Sequence, residues 1–255
     1  MTTVCDVLRA LERLAPPERK MDFDNVGLLV GREDRPVEKV LTALDVTDEV
    51  ISEAEETSAA LIVTHHPVIF HPVKQITGGD PVGRHLLRLI ENGMSVISMH
   101  TNLDAADGGV NDALARRLGL LDAQPYEPEH ICRVGHVRKP VDLTAFLGTV
   151  KTALGCEGLR YVQGTSPVFQ VAVGGGSCGS MLEDAVLAGC DTFVTADVKH
   201  DVFLRASELG INLIDAGHFH TENVVIPVLK NVLDQAFPGL NVRISAHTAA
   251  EHYYL

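Results

Sequence analysis

Apolar and polar positions along this chain alternate in blocks, and the blocks repeat. The segment KVLTALDVTDEVISEAEETSAALIVTHH (39–66) opens with a β-rich apolar run. A turn, a helical pattern and a second apolar run ending in Val-Thr follow. Displaced by 131 residues, QVAVGGGSCGSMLEDAVLAGCDTFVTAD (170–197) shows the same order, so that Val40 meets Val171, Ala54 meets Ala185 and Val63-Thr64 meets Val194-Thr195. A further pair, NGMSVISMH and LGINLIDAG, matches at a displacement of 117. The 14-residue difference falls in the Gly- and Pro-bearing stretch PVIFHPVKQITGGDPVG of the first copy.

Strands alternating with helices imply parallel βαβ units, in which crossovers are right-handed and ligands gather at strand carboxyl ends. The expected architecture is α/β: two pseudo-repeated α/β halves, with a metal site at strand carboxyl ends between them. The halves are expected at about 1–125 and 126–255, joined near DAQPYEPEH. A single doubly wound sheet is the alternative. At the amino end, MTTVCDVLRALERLAPPERK carries Asp6 and Glu12 within an amphipathic period, which predicts a surface helix rather than a secretory signal.

The strand ends are where the chemistry collects. The apolar run Leu61–Val63 stops at two adjacent histidines, His65 and His66. Buried neutral imidazoles are costly unless each finds a partner. The next strand of the first half leads into HTNLDAADGG, and its counterpart leads into HFHTEN. Each places a carboxylate four residues after a histidine: His100 with Asp104, and His218 with Glu222. Imidazole with carboxylate suits Zn, Mn, Fe(II), Co or Ni, and the absence of paired Cys-x-x-Cys disfavours a closed structural zinc site. Adjacent residues on a regular strand point to opposite faces, so His65 and His66 serve one ion only if the backbone turns, or else serve two. A pair of ions about 3.5–4 Å apart can share a bridging carboxylate. His71, His85, His130, His136, His247 and His252 read as hydrogen-bonded core or surface histidines.

Composition narrows the classes. The formal charge of −13 argues against a protein that tracks nucleic-acid phosphates, and no apolar run approaches the roughly 20 residues of a membrane span. Five cysteines, an odd number without a Cys-x-x-Cys pair, fit reduced thiols in a cytoplasmic protein. A competing motif is GGSCG (175–179), a Gly-x-Ser-x-Gly between a predicted strand and helix. Ser177 could there be the nucleophile of a serine hydrolase with Asp215 and His218 as partners, or the stretch could be a tight glycine turn.

Four stretches, DNVGLLVG (24–31), VTHHP (63–67), HTNLDAADGGVN (100–111) and GHFHTEN (217–223), resemble the GTP cyclohydrolase 1 type 2 homologues, also called the NIF-three-like family. The resemblance implies an α/β protein of the short form, without an inserted domain, assembled as a homohexamer and holding two divalent metal ions per chain. Carried over motif by motif, it makes His65, His66, Asp104, His218 and Glu222 the ligands, with Glu222 the bridge and His100 and His220 as supporting neighbours. In VTADVKHD, Ala196 stands where glycine is more usual in the family, which leaves Asp197 and His200 without an assigned role. The implied activity is that of a two-metal hydrolase, opening a nucleotide or related heterocycle by metal-bound hydroxide. The alternative class is a metal-binding or interaction protein without turnover. The expected partners are further copies of the chain and a small-molecule substrate, with neither nucleic acid nor membrane.

Overall fold

A computed structural model describes residues 1–127 and 129–248; His252 therefore lies outside the described residues. The chain divides into two compact units, each built on its own sheet. The strands of the first sheet are β1 (Gly27–Val30), β2 (Lys39–Ala43), β3 (Leu61–Thr64) and β4 (Ser95–Ser98). Those of the second are β5 (Leu121–Gln124), β6 (Arg133–Val141), β7 (Arg160–Val162), β8 (Val168–Val173), β9 (Thr192–Thr195) and β10 (Asn212–Asp215). The last described strand, β11 (Asn241–Ile244), returns to the first sheet.

The repeat is realised in register. In the first sheet β2, β3 and β4 run parallel, Val40 beside Leu61 and Leu61 beside Ser95. In the second, β8, β9 and β10 do the same, Val171 beside Thr192 and Thr192 beside Asn212. Strands β3 and β9 are buried at all four positions, as are β4 and β10. Burial on both faces explains why these segments read as continuous apolar runs rather than alternating ones.

Antiparallel edges complete both sheets. The orders are β1-β4-β3-β2-β11 and β5-β6-β8-β9-β10-β7. Strands β1, β6 and β7 run antiparallel to β4, β8 and β10. The sheets are therefore mixed, a feature that the βαβ pattern alone does not announce.

The boundary between units differs from the expected one near residue 125. Among the described residues, one unit holds 1–103 together with 226–248, and the other holds 104–127 and 129–225. The reason is β11, which pairs in parallel with β2 through Val242 beside Val40 and Arg243 beside Leu41. The carboxyl-terminal helix Ile226–Ala236, with Ile226, Leu229 and Leu233 buried, leads into that strand.

Each unit has its own apolar core. In the first, Leu41, Ile51, Ile62, Leu86, Leu89 and Val96 pack together. In the second, Leu114, Phe146, Val150, Val171, Val194 and Ile214 do so. The amino-terminal helix Val4–Leu14 forms as expected, its start fixed by a capping box between Thr3 and Asp6. Of the segment that lengthens the first copy, Val68 and Ile69 fold onto the first unit's core, while Phe70, Val73 and Ile76 stay exposed. No helix among the described residues is long and apolar enough to cross a membrane.

Candidate functional site

In the first unit, β3 ends at Thr64 and the backbone turns directly after it. His66 N–H donates to the Leu44 carbonyl, and the Thr64 hydroxyl donates to the His66 carbonyl. The turn answers the geometric objection to two adjacent ligands. The rings of His65 and His66 lie 4.9 Å apart, centroid to centroid, rather than on opposite faces of a strand. The His100 ring, just beyond β4, is 5.2 Å from His65 and 5.6 Å from His66. One ligand-capable nitrogen from each of the three falls within 4.8 Å of the others.

All three imidazoles are held by the same atom. His65, fully buried, has Nδ1 at 2.8 Å from the Met99 carbonyl. Asp45 accepts from His66 Nδ1 at 2.7 Å, and Asp24 accepts from His100 Nδ1 at 2.7 Å. An acceptor on Nδ1 fixes the proton there and leaves the lone pair on Nε2, the arrangement that orients histidines toward a metal. Asp24 is itself buried and also accepts from Thr101, both N–H and hydroxyl. Burial alone would raise its carboxyl. Hydrogen bonds from His100 and Thr101 outweigh burial and hold it well below the usual carboxylate range. His100, given only a supporting part by the resemblance, thus shares the pair's restraint through Nδ1.

The second unit gathers carboxylates. Asp104 and Glu222 are buried, 7% and 4% exposed, and an oxygen of each lies within 4.8 Å of the other. Two buried carboxylates this close repel one another, and a nearby cation offsets that repulsion. Glu222 Oε2 is 2.8 Å from His218 Nε2, and Asp197 accepts from His218 Nδ1 at 2.7 Å. Asp197 takes the strand-end position that corresponds to His66 in the repeat and adopts a left-handed backbone, φ 50°. It acts on His218 as Asp45 acts on His66.

The glycine stretch after β8 supports these carboxylates instead of presenting a triad. Gly175 N–H donates to the buried Asn111 side chain, whose amide reaches the Asp104 carbonyl. Gly176 N–H donates to Thr221 beside Glu222. A Cβ on Gly176 would stand 2.0 Å from Glu222 Oε1, so glycine there makes room for the carboxylate. Asp215 is committed elsewhere: it pairs with Arg160 and accepts from the Val198 and Gly217 amides. With His218 Nδ1 on Asp197, the Ser177–His218–Asp215 relay is not assembled, which corrects the serine-hydrolase alternative. His220 packs edge-on against Phe219 and belongs to none of the metal-capable groups among the described residues. His200 starts the helix His200–Leu209 and is exposed.

Sequence reasoning missed Asp24 and Asp45, the carboxylates that fix the histidines. The first lies inside DNVGLLVG, a motif already singled out for its resemblance. The second leaves no local signal beyond its place at the end of β2.

Comparison with known proteins identifies the family. The family model described as Duf34/NIF3 (NGG1p interacting factor 3) matches residues 2–251. A GTP cyclohydrolase 1 type 2 homolog of Clostridium perfringens is 37% identical over 238 residues, covering 90% of this chain and 91% of its own. A protein of Helicobacter pylori strain J99 named GTP cyclohydrolase 1 type 2 is 32% identical over 233 residues, 91% of this chain and 92% of its own. The crystal structure of a hypothetical protein from Staphylococcus aureus superposes with a TM-score of 0.93 at 29% identity, covering 99% of both chains. Whole-length matches in sequence and in structure converge, and the chain belongs to the Duf34/NIF3 family.

Proposed function

We propose that this protein is a divalent-metal-dependent hydrolase acting on a nucleotide or a related heterocycle, with His65, His66, Asp104, His218 and Glu222 as metal ligands. The observation that carries this reading is the common restraint of His65, His66 and His100 through Nδ1. Core histidines need a hydrogen bond, but three clustered imidazoles that all present Nε2 as the lone-pair atom fit a cation. The buried pair of Asp104 and Glu222 adds the negative charge that a divalent ion would balance. A set of imidazoles and carboxylates, without thiolates, suits Zn, Mn, Fe(II), Co or Ni.

Divalent ions bound there would supply Lewis-acid polarisation of a substrate oxygen and acidification of water to a pKa of about 7. The chain's own groups do the rest. Asp24, Asp45 and Asp197 keep His100, His66 and His218 in one tautomer, and Asn111 and Gly176 keep the Asp104 and Glu222 segments in place. The nucleotide substrate class rests on the names of the Clostridium and Helicobacter relatives. Assembly as a homo-oligomer, a hexamer by resemblance, belongs to the same reading, and the segment with the exposed Phe70, Val73 and Ile76 would lie near the site mouth or a subunit contact.

The test is formate release from GTP by metal-reconstituted protein, with and without chelator. Ser177→Ala should keep most of the activity and His66→Ala should abolish it. Activity that survives chelation, or the reverse ranking of the two variants, overturns the metal mechanism. Full metal loading with no turnover on a nucleotide panel would select metal binding without catalysis. Light scattering that finds a metal-loaded monomer at micromolar concentration overturns the assembly.

A further inference from the structure

This chain contains no Trp and only 5% aromatic residues, yet two of its eight phenylalanines are set side by side at the surface. Phe23 is 64% exposed and Phe70 40%. Their ring centroids lie 6.2 Å apart with an interplanar angle of 78°. Phe70 also meets the His100 ring edge-on, at 5.8 Å and 88°, so the pair is continuous with the imidazole cluster.

The placement is built, not incidental. Phe23 precedes Asp24, which is anchored by His100 and Thr101. Phe70 follows Ile69, whose carbonyl accepts from the Asn25 side chain at 2.7 Å. The two segments that carry the rings are thus tied to each other and to the histidines. Rings carried on backbone anchored in this way lose less freedom when a ligand covers them than rings on an untethered loop would. Apolar faces beside polar groups suit a flat ring that stacks on carbon while its heteroatoms face imidazoles.

We propose that the heteroaromatic base of the substrate stacks on one of these two near-perpendicular rings and packs against the other beside the histidine cluster, so that Phe23 and Phe70 together determine specificity for a nucleotide over other phosphate-bearing compounds. The proposal rests on the functional reading above and names the part of the substrate that these residues hold. It assigns them no part in holding metal, which keeps the two ideas separable.

Titration calorimetry on metal-reconstituted protein tests it, with GTP as one probe and inorganic tripolyphosphate as the base-free probe. Phe70→Ala and Phe23→Ala should each weaken GTP binding by about tenfold, within the range for loss of one base–aromatic stack. Tripolyphosphate affinity should change by less than about twofold, and Phe70→Trp should keep or strengthen GTP binding. Metal content and melting temperature, measured on every variant, should stay at wild-type values. Unchanged GTP affinity in both alanine variants overturns the proposal, as does an equal loss for tripolyphosphate. Wild-type protein that carries metal but binds GTP no better than tripolyphosphate also overturns it, and leaves the metal reading standing. Protein that takes up no metal overturns the metal reading instead, and the same two-probe comparison on that protein still decides the stacking. Alanine variants that alter only the oligomeric mass would mark the pair as a contact between copies and refute the stacking role.

Discussion

Replacing Gly176 by alanine isolates the role of the glycine turn. Gly176 has φ +63°, a region that costs a residue with a Cβ about 1–2 kcal/mol. The added carbon would sit 2.0 Å from Glu222 Oε1, 2.9 Å from its Cδ and 3.3 Å from His218 Cε1. Relief by moving the turn is blocked on both sides, because the Gly176 carbonyl accepts from Ala196 N–H at 2.9 Å and its N–H donates to Thr221 at 3.0 Å. The carboxylate must therefore shift by more than about 1 Å to reach ordinary contact, out of its 2.8 Å approach to His218. Together these terms predict a destabilisation of about 2–4 kcal/mol, within the range for overpacking combined with backbone strain. The assay is urea denaturation of Gly176→Ala beside Gly179→Ala, whose Cβ would meet nothing closer than Val202 at 3.7 Å. The control should change by no more than about 0.5 kcal/mol. In a Glu222→Ala background the penalty at Gly176 should fall to the backbone part, about 1–2 kcal/mol. Equal behaviour of the two glycine variants, or a penalty indifferent to the Glu222 background, refutes the reasoning.

Further predictions concern a buried charge, an exposed ion pair and a buried thiol. Arg133 is 1% exposed, donates to Asp112 at 2.6 Å and to the His130, Cys132 and Ala106 carbonyls, so Arg133→Met should cost about 3–5 kcal/mol, and Lys should not restore it because it lacks the planar fork. By contrast Arg32→Ala, which breaks an exposed pair with Asp34, should leave the urea midpoint close to that of the wild type, and a loss like that of Arg133→Met would contradict the burial argument. Burial, with the charge of Asp191, pushes the Cys190 thiol up to about 12, and burial also raises Cys156. The native state then keeps protons that unfolded thiols lose above about pH 8.5, so stability should fall as pH rises from there toward 12. Cys190→Ala should flatten that decline in urea midpoints, and a slope unchanged by the substitution contradicts it.

How much of this was legible in the sequence follows from where each feature's information lies. Strands β3 and β9 are short, buried on both faces and end in Val-Thr, so apolar runs mark them directly, and the displacement of 131 residues maps one onto the other. The edges were not legible. All four residues of β5 are exposed, and β11 belongs to the first sheet only through pairing with β2 about 200 residues away, which no local pattern encodes. The same contrast holds at the site. His65, His66, His218 and Glu222 stand out because titratable groups follow apolar strands or share a helical spacing. Asp24, Asp45 and Asp197 are ordinary loop carboxylates until the fold brings each to a histidine Nδ1. Gly-x-Ser-x-Gly carried a real signal with the wrong chemistry attached. The glycine that matters is Gly176, which stands between the two motif glycines and makes room for Glu222 rather than exposing Ser177.

Metal stoichiometry tests the central claim most directly. Protein reconstituted anaerobically with a divalent metal, freed of excess by gel filtration and analysed for elements per chain, should retain two ions. No more than trace metal in the wild-type protein would contradict the assignment of His65, His66, Asp104, His218 and Glu222 as a metal-binding set.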